Sequence, residues 1–263
     1  MKAVFFDIDG TLISRDKRVP ASVHAAIKNL RARGNLAFIS SGRTKILVND
    51  PLLKDIKFDG VISGCGSLIE HNDAVLFYRT VPVDLAVKAL NLFTLNNVIP
   101  ILEGKNLFYY DETNLPFNPY QFGLKATLGD KIQSIAENFG KWEFSKFICT
   151  TDPAFSNVKN CVNSLENNFN FLIHSDYIFE MILKGVNKGS AIEIVCQKLG
   201  IDLADTFAIG DSINDMDMLQ TAGTAIAMAN APDTVKNAAD FVTNLAEDDG
   251  IFHALKHFNL IDG

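Results

Sequence analysis

Hydrophobic positions along the chain follow two rhythms. In the first, short continuous apolar runs alternate with stretches where apolar residues recur every three or four positions. Residues 3–6 (Ala-Val-Phe-Phe), 36–39 and 60–63 are such runs, and each predicts a strand buried on both faces. Between the first two, Val23, Ala26, Ile27 and Leu30 mark a helix over 21–33 with Gly34 as its stop. A second helix is expected to run from after Arg43 to about residue 53. Strand-helix-strand order predicts parallel pairing with right-handed crossovers. The same rhythm returns after Gly185. A helix over 188–199 can be capped by Asn187, a strand follows at 206–209, and helix resumes to 219. Short strands at 224–228 and 241–242 and helices at 234–238 and 250–257 complete the chain.

The second rhythm occupies the middle. Runs at 67–69 and 75–78 flank His71-Asn72-Asp73 and predict a hairpin. The next hundred residues mix a helix (85–95), a strand pair around Gly104-Lys105 (98–102 and 107–110), and a loop holding Pro116, Asn118, Pro119 and Gly123. They continue with a helix (132–139), a strand (146–150), a helix (155–165) and a second strand pair (169–173 and 177–183). This helix-strand-strand echo does not continue a parallel sheet. The expected fold class is therefore α/β, a Rossmann-like three-layer parallel-sheet core made of 1–81 and 184–263. An α+β domain is inserted at 82–183.

Composition narrows the picture without deciding it. A chain of 263 residues, 48% hydrophobic and 21% charged, has room for one or two ordinary globular domains. Its 20 Phe imply well-filled cores. A net charge of −7 argues against bulk nucleic-acid binding, which needs Lys and Arg to neutralise phosphates. Cys65, Cys149, Cys161 and Cys196 form no C-x-x-C pair and have no clustered His, so reduced thiols in a cytoplasmic protein are expected. The N-terminus reads as neither signal peptide nor membrane span, and no apolar run is long enough to cross a bilayer.

Candidate chemistry sits where the apolar runs stop. The first run ends in Asp7-Ile8-Asp9-Gly10-Thr11, and carboxylates two apart share a face of an extended chain. Like charges so close resist joint ionisation unless a cation holds them. An Asp-rich turn with a glycine stop is the alternative. The second run ends in Ser41-Gly42-Arg43, and the later strand in Gly210-Asp211-Ser212-Ile213-Asn214-Asp215. Lys188 opens a helix, where a cation opposes the helix dipole unless an anion is near. Each feature has a structural alternative: a turn, a solvated charge, first-turn acids. Open α/β sheets collect ligands beyond the carboxyl ends of their strands, where helix N-termini favour phosphate. Carboxylate oxygens suit Mg²⁺.

Taken in order, Asp7-Ile8-Asp9-Gly10-Thr11, Ser41-Gly42-Arg43, Lys188-Gly189 and Gly210–Asp215 resemble the four motifs of haloacid dehalogenase-like (HAD) phosphatases. The insert resembles the type-C2 cap of the Cof-like branch. The resemblance implies a Mg²⁺-dependent phosphatase hydrolysing small phosphorylated metabolites, such as sugar phosphates, through an aspartyl-phosphate. It implies that Asp7 is the nucleophile and Asp9 the general acid and base. It assigns Mg²⁺ to the Asp7 carboxylate, the Asp9 backbone carbonyl and Asp211, with Asp215 in support. It gives the phosphoryl oxygens to Ser41, the Gly42 and Ile8 amides, Lys188 and Asn214. The cap would exclude water and choose the leaving group, with Glu103, Asn114, Asn118 and Glu180 as polar candidates. Arg43 faces either the phosphate or the cap, or forms a structural salt bridge.

Two positions depart from the family pattern. Ser41 stands where Thr is frequent, and Ser63-Gly64-Cys65-Gly66 replaces an Asn-Gly. Cys65 then reads as a small buried residue or as a thiol at the site's rim. A phosphotransferase or phosphomutase would share every core residue, and a non-catalytic metabolite-binding module is a third reading. The expected partner is a small phosphorylated metabolite, with no nucleic acid or membrane, for a monomer or small homo-oligomer.

Overall fold

The computed structural model describes residues 1–111 and 119–262, with the side chains of 119–122 left out. The chain forms two units, Met1–Tyr78 with Gly185–Gly263, and Arg79–Lys184.

The first unit begins with β1 (Ala3–Phe6), α1 (Ala21–Ala32), β2 (Leu36–Ser40), α2 (Lys45–Val48), β3 (Gly60–Ser63), β4 (Leu68–His71) and β5 (Ala74–Tyr78). The second unit contains α3 (Val83–Leu95), β6 (Ile99–Glu103), β7 (Phe108–Tyr109), α4 (Pro119–Leu128), β8 (Ile132–Gln133), β9 (Lys146–Thr150), α5 (Val158–Leu165), β10 (Phe169–Ser175) and β11 (Ile178–Leu183). The first unit resumes with α6 (Lys188–Leu199), β12 (Thr206–Gly210), α7 (Met216–Thr221), β13 (Thr224–Ala227), α8 (Asp233–Lys236), β14 (Phe241–Val242) and α9 (Gly250–His257).

The sheet of the first unit runs β14-β13-β12-β1-β2-β3-β4-β5. Pairing is parallel from β14 to β3, and β4 and β5 extend it as an antiparallel hairpin. Because strand side chains alternate, β1 feeds two cores. Val4 and Phe6 pack with Val23, Ile27 and Leu30 of α1 and with Ile251 and Leu255 of α9. Ala3 and Phe5 pack with Ala191, Ile192 and Val195 of α6 and with Met218 and Leu219 of α7. That alternation yields the three layers, and each fully buried Phe contributes roughly 1.5–3 kcal/mol. No helix among the described residues is long and apolar enough to cross a membrane.

The sheet of the second unit runs β10-β11-β9-β6-β7-β8, antiparallel except for β7 with β8. Phe147 is its hub, meeting Phe93 of α3 edge-on with ring centroids 5.5 Å apart, and also Phe144 and Phe169. The hairpin at Gly104 closes with Gly104 N donating to Leu107 O.

Three elements differ from expectation. Residues 132–139 do not form a helix. The Asp111 carboxylate accepts from Ser134 Oγ and from the amides of Ile135 and Ala136, a local alternative to helical bonding. Gly123 lies within α4 and not in a loop. The helix after Arg43 stops at Val48, because Pro51 pushes Asp50 away from helical geometry and the Asp50 carboxylate accepts the Leu52 amide.

Candidate active site

The parallel strands β1, β2 and β12 bring three loops to one end of the sheet. Asp7 extends the β1–β12 ladder by one bond, its amide donating to Ile209 O at 3.0 Å. The chain then turns. Thr11 N and Ile13 N both donate to Ile8 O, and Gly10 N donates to Ile13 O. Gly10 adopts φ +88°, and a Cβ there would lie 2.2 Å from Asp211 Oδ2. Glycine is therefore required on two counts. The Asp9 carboxylate is not among those gathered with Asp7.

Lys188 enters from the first position of α6, where Asn187 caps the helix and accepts the Ser190 amide. Gly189 follows, and a Cβ there would meet Asp217 O at 2.4 Å, so glycine lets α6 approach α7. The resulting Lys188 ammonium is 1% exposed. It donates to Asp7 Oδ1 and Asp215 Oδ1 at 2.6 Å each and to Asn214 Oδ1 at 3.4 Å. The solvated-charge reading of Lys188 does not hold. Asp215 uses its other oxygen to accept from the amides of Asp211 and Ser212, both at 3.0 Å. One carboxylate thus shapes the loop after β12 and anchors the ammonium.

Asp7, Asp211 and Asp215 place one carboxylate oxygen each within 4.8 Å of one another. Three carboxylates against one ammonium leave a formal charge of −2 when all are ionised. Burial, then the Asp215 charge, pushes Asp7 up to about 7 against the pull of Lys188. Burial and the same neighbour push Asp211 up to about 6. Burial works to lower Lys188, but the charges of Asp215 and Asp7 outweigh it and raise its pKa. A divalent cation among hard oxygens would remove this deficit, so the donor set fits Mg²⁺.

Asp9 lies apart from this cluster. Its half-exposed carboxylate receives a two-pronged bond from Arg43, Nε to Oδ2 at 2.8 Å and Nη2 to Oδ1 at 2.6 Å. Arg43 also donates to Asp50 Oδ2 at 2.9 Å, so it forms a salt-bridge network. Ser41 follows β2, is buried, and its hydroxyl accepts the Arg43 amide at 3.1 Å. Gly42 lies beside Asn214 Nδ2, which is 3.9 Å from where a Gly42 Cβ would stand, and beside Cys65 Sγ at 3.3 Å from that point. Cys65 is buried and also borders the motif glycine, with φ +54°, a left-handed conformation that asparagine tolerates better.

In the second unit, Glu103 and Glu180 both pair with the buried Lys146 at 3.2 Å, and Glu180 also meets His174. Asn114 and Asn118 lie outside the described residues. The sequence reading missed Asn230, which donates to Asp211 Oδ2 at 2.7 Å and to Gly10 O at 3.1 Å. Its one available signal was its position just past an apolar strand.

This sheet, with acids beyond the carboxyl ends of its strands and a buried lysine from the start of α6 among them, defines a hydrolase core, and the chain belongs to the haloacid dehalogenase-like hydrolase family. That family's sequence profile matches residues 4–255. A Bacillus subtilis (strain 168) relative named 5-amino-6-(5-phospho-D-ribitylamino)uracil phosphatase YcsE is 27% identical, covering 99% of this chain and 96% of that protein. The solved structure of the HAD subclass IIB sugar phosphatase BT4131 is 28% identical with TM-score 0.80, covering 99% and 100% of the two chains. A Geobacillus kaustophilus HTA426 protein of 25% identity superposes with TM-score 0.87 over 99% of each chain.

Proposed function

We propose that the chain hydrolyses small phosphomonoesters, sugar phosphates or related metabolites, through an aspartyl-phosphate on Asp7. The observation that carries this is the buried Lys188 held between Asp7 and Asp215 beside Asp211. The substrate class follows from the relatives, one named for a phosphorylated ribityl compound and one for sugar phosphates.

In this reading an Asp7 oxygen attacks phosphorus in line as the bond to the leaving oxygen breaks. Asp9 gives its proton to that oxygen, then takes one from the water that hydrolyses the acyl phosphate. The Arg43 fork takes one acceptor site on each Asp9 oxygen and orients the carboxylate, leaving a lone pair on each oxygen for this exchange. Ser41, the amides of Gly42 and Ile8, Lys188 and Asn214 bind the phosphoryl oxygens and fix the line of attack. Mg²⁺ would be held by the Asp7 carboxylate, the Asp9 carbonyl and Asp211, supported by Asp215, and supplies charge neutralisation for the phosphoryl group. The inserted unit, expected to be a C2-type cap, selects the leaving group.

The test is hydrolysis of an aryl phosphate with and without Mg²⁺, by the wild type and by Asp7→Asn. Turnover should require the cation and fall by several orders of magnitude in the variant. Undiminished turnover in Asp7→Asn overturns the nucleophile. A panel of sugar, nucleotide and cofactor phosphates then ranks leaving groups.

A further inference from the structure

The loop after β13 contains a polar side chain with no assigned part in the reaction. Met228 N donates to Gly210 O, and Ala231 N donates back to Met228 O, closing a turn with Asn230 at its tip. The Asn230 amide nitrogen bridges two groups from opposite ends of the sequence, Gly10 O at 3.1 Å and Asp211 Oδ2 at 2.7 Å. Both partners accept, so the carboxamide has one sensible orientation, with nitrogen toward them. Its oxygen is buried without a partner among the described residues. A buried acceptor left so offsets part of what the two donated bonds contribute, so hydrogen bonding alone does not single out an amide here.

The charge of the donor does give a reason. Asp211 already sits among Asp7 and Asp215. A lysine or arginine in place of Asn230 would neutralise Asp211 and compete with a bound cation. A carboxylate would add a fourth negative charge. A neutral amide fixes the Asp211 carboxylate and leaves its charge available. It also ties that carboxylate to the Gly10 turn, which follows directly on Asp9. Thr11 Oγ1 reaches the other Asp211 oxygen at the looser distance of 3.4 Å, so Asn230 is the tighter of the two tethers.

We propose that Asn230 is a positioning residue of the acid centre, setting the Asp211 carboxylate and the Gly10 turn in register for a divalent cation. This rests on the reading of Asp7, Asp211 and Asp215 as a cation site. Partners that orient a metal-binding carboxylate typically contribute 10–100-fold in affinity.

Calorimetric titration of the unliganded protein with Mg²⁺ separates the two ideas. Asn230→Ala should bind Mg²⁺ at least about tenfold more weakly than the wild type. Asn230→Gln, which keeps the donor but displaces it by one methylene, should fall between them and covers the case where the alanine variant does not fold. A folded variant of either kind with wild-type Mg²⁺ affinity overturns the role of Asn230 alone. Absence of Mg²⁺ binding to the wild type overturns the cation site and this proposal with it.

Discussion

Without a cation, the acid centre works against the stability of its own fold, and Asp7→Asn should expose this. Burial and Asp215 lift Asp7 from its ordinary 3.8 to about 7. At ~1.36 kcal/mol per tenfold change in proton affinity, ionised Asp7 costs the folded chain about 4 kcal/mol relative to the unfolded one. The sign follows from proton counting. Between 3.8 and about 7 the folded chain holds a proton that the unfolded chain has lost, so stability declines as pH rises and stays low above that window. Asparagine resembles the protonated acid and does not titrate. In chelator at pH 8, Asp7→Asn should therefore be more stable than the wild type, by roughly 2–3 kcal/mol once a poorer bond to Lys188 is counted. At pH 5 most of the wild-type penalty is gone, and the gap should shrink by about 3 kcal/mol. Urea unfolding at both pH values, with equal denaturant slopes, measures the gap. Added Mg²⁺ should stabilise the wild type by mass action and the variant much less. A variant less stable than the wild type at pH 8, or a gap independent of pH, refutes the argument.

Two further outcomes follow from the same geometry. In the second unit, burial works to raise Glu180 but Lys146 and His174 outweigh it and hold it at about 2, against an ordinary 4.5. Its stabilisation is complete above pH 4.5 and fades as pH falls toward 2, by about 3 kcal/mol, and acid melting of Glu180→Gln should lack that loss. Gly10→Ala should cost more than about 2 kcal/mol and weaken Mg²⁺ binding, since its Cβ meets Asp211 Oδ2, whereas Gly34→Ala, with nothing within 4 Å, should cost only its backbone strain of about 1 kcal/mol. Equal losses for the two variants in urea unfolding would contradict the clash.

The core elements were legible because their signals are local. Residues 3–6 end as an apolar run ends, and the spacing of Val23, Ile27 and Leu30 names a helix face. Signals that depend on a distant partner were not legible. Residues 134–136 have the composition of a helix, and only the Asp111 carboxylate, more than twenty positions earlier, turns them. The different surroundings of Asp7 and Asp9 depend on the Gly10 turn, on Lys188 and on Arg43, none of which shows in a spacing of two residues along a strand. Asn230 carries no charge and no motif of its own. Its place becomes visible only when β13 is laid beside β12.

The position of β1 has a consequence for synthesis. Its neighbours are β2, some thirty residues on, and β12, some two hundred residues on. A nascent chain that has emerged through β5 therefore carries β1 with one edge unpaired, next to an Asp7 that has not yet met Lys188. Pairing across so long a loop is slow, and an open edge invites other strands. The hazard lasts while the inserted unit is translated, a matter of seconds to tens of seconds at about 5–20 residues per second. A ribosome stalled before residue 206 would hold a chain that cannot shut its central sheet, and slow codons in the insert should raise its demand for chaperones.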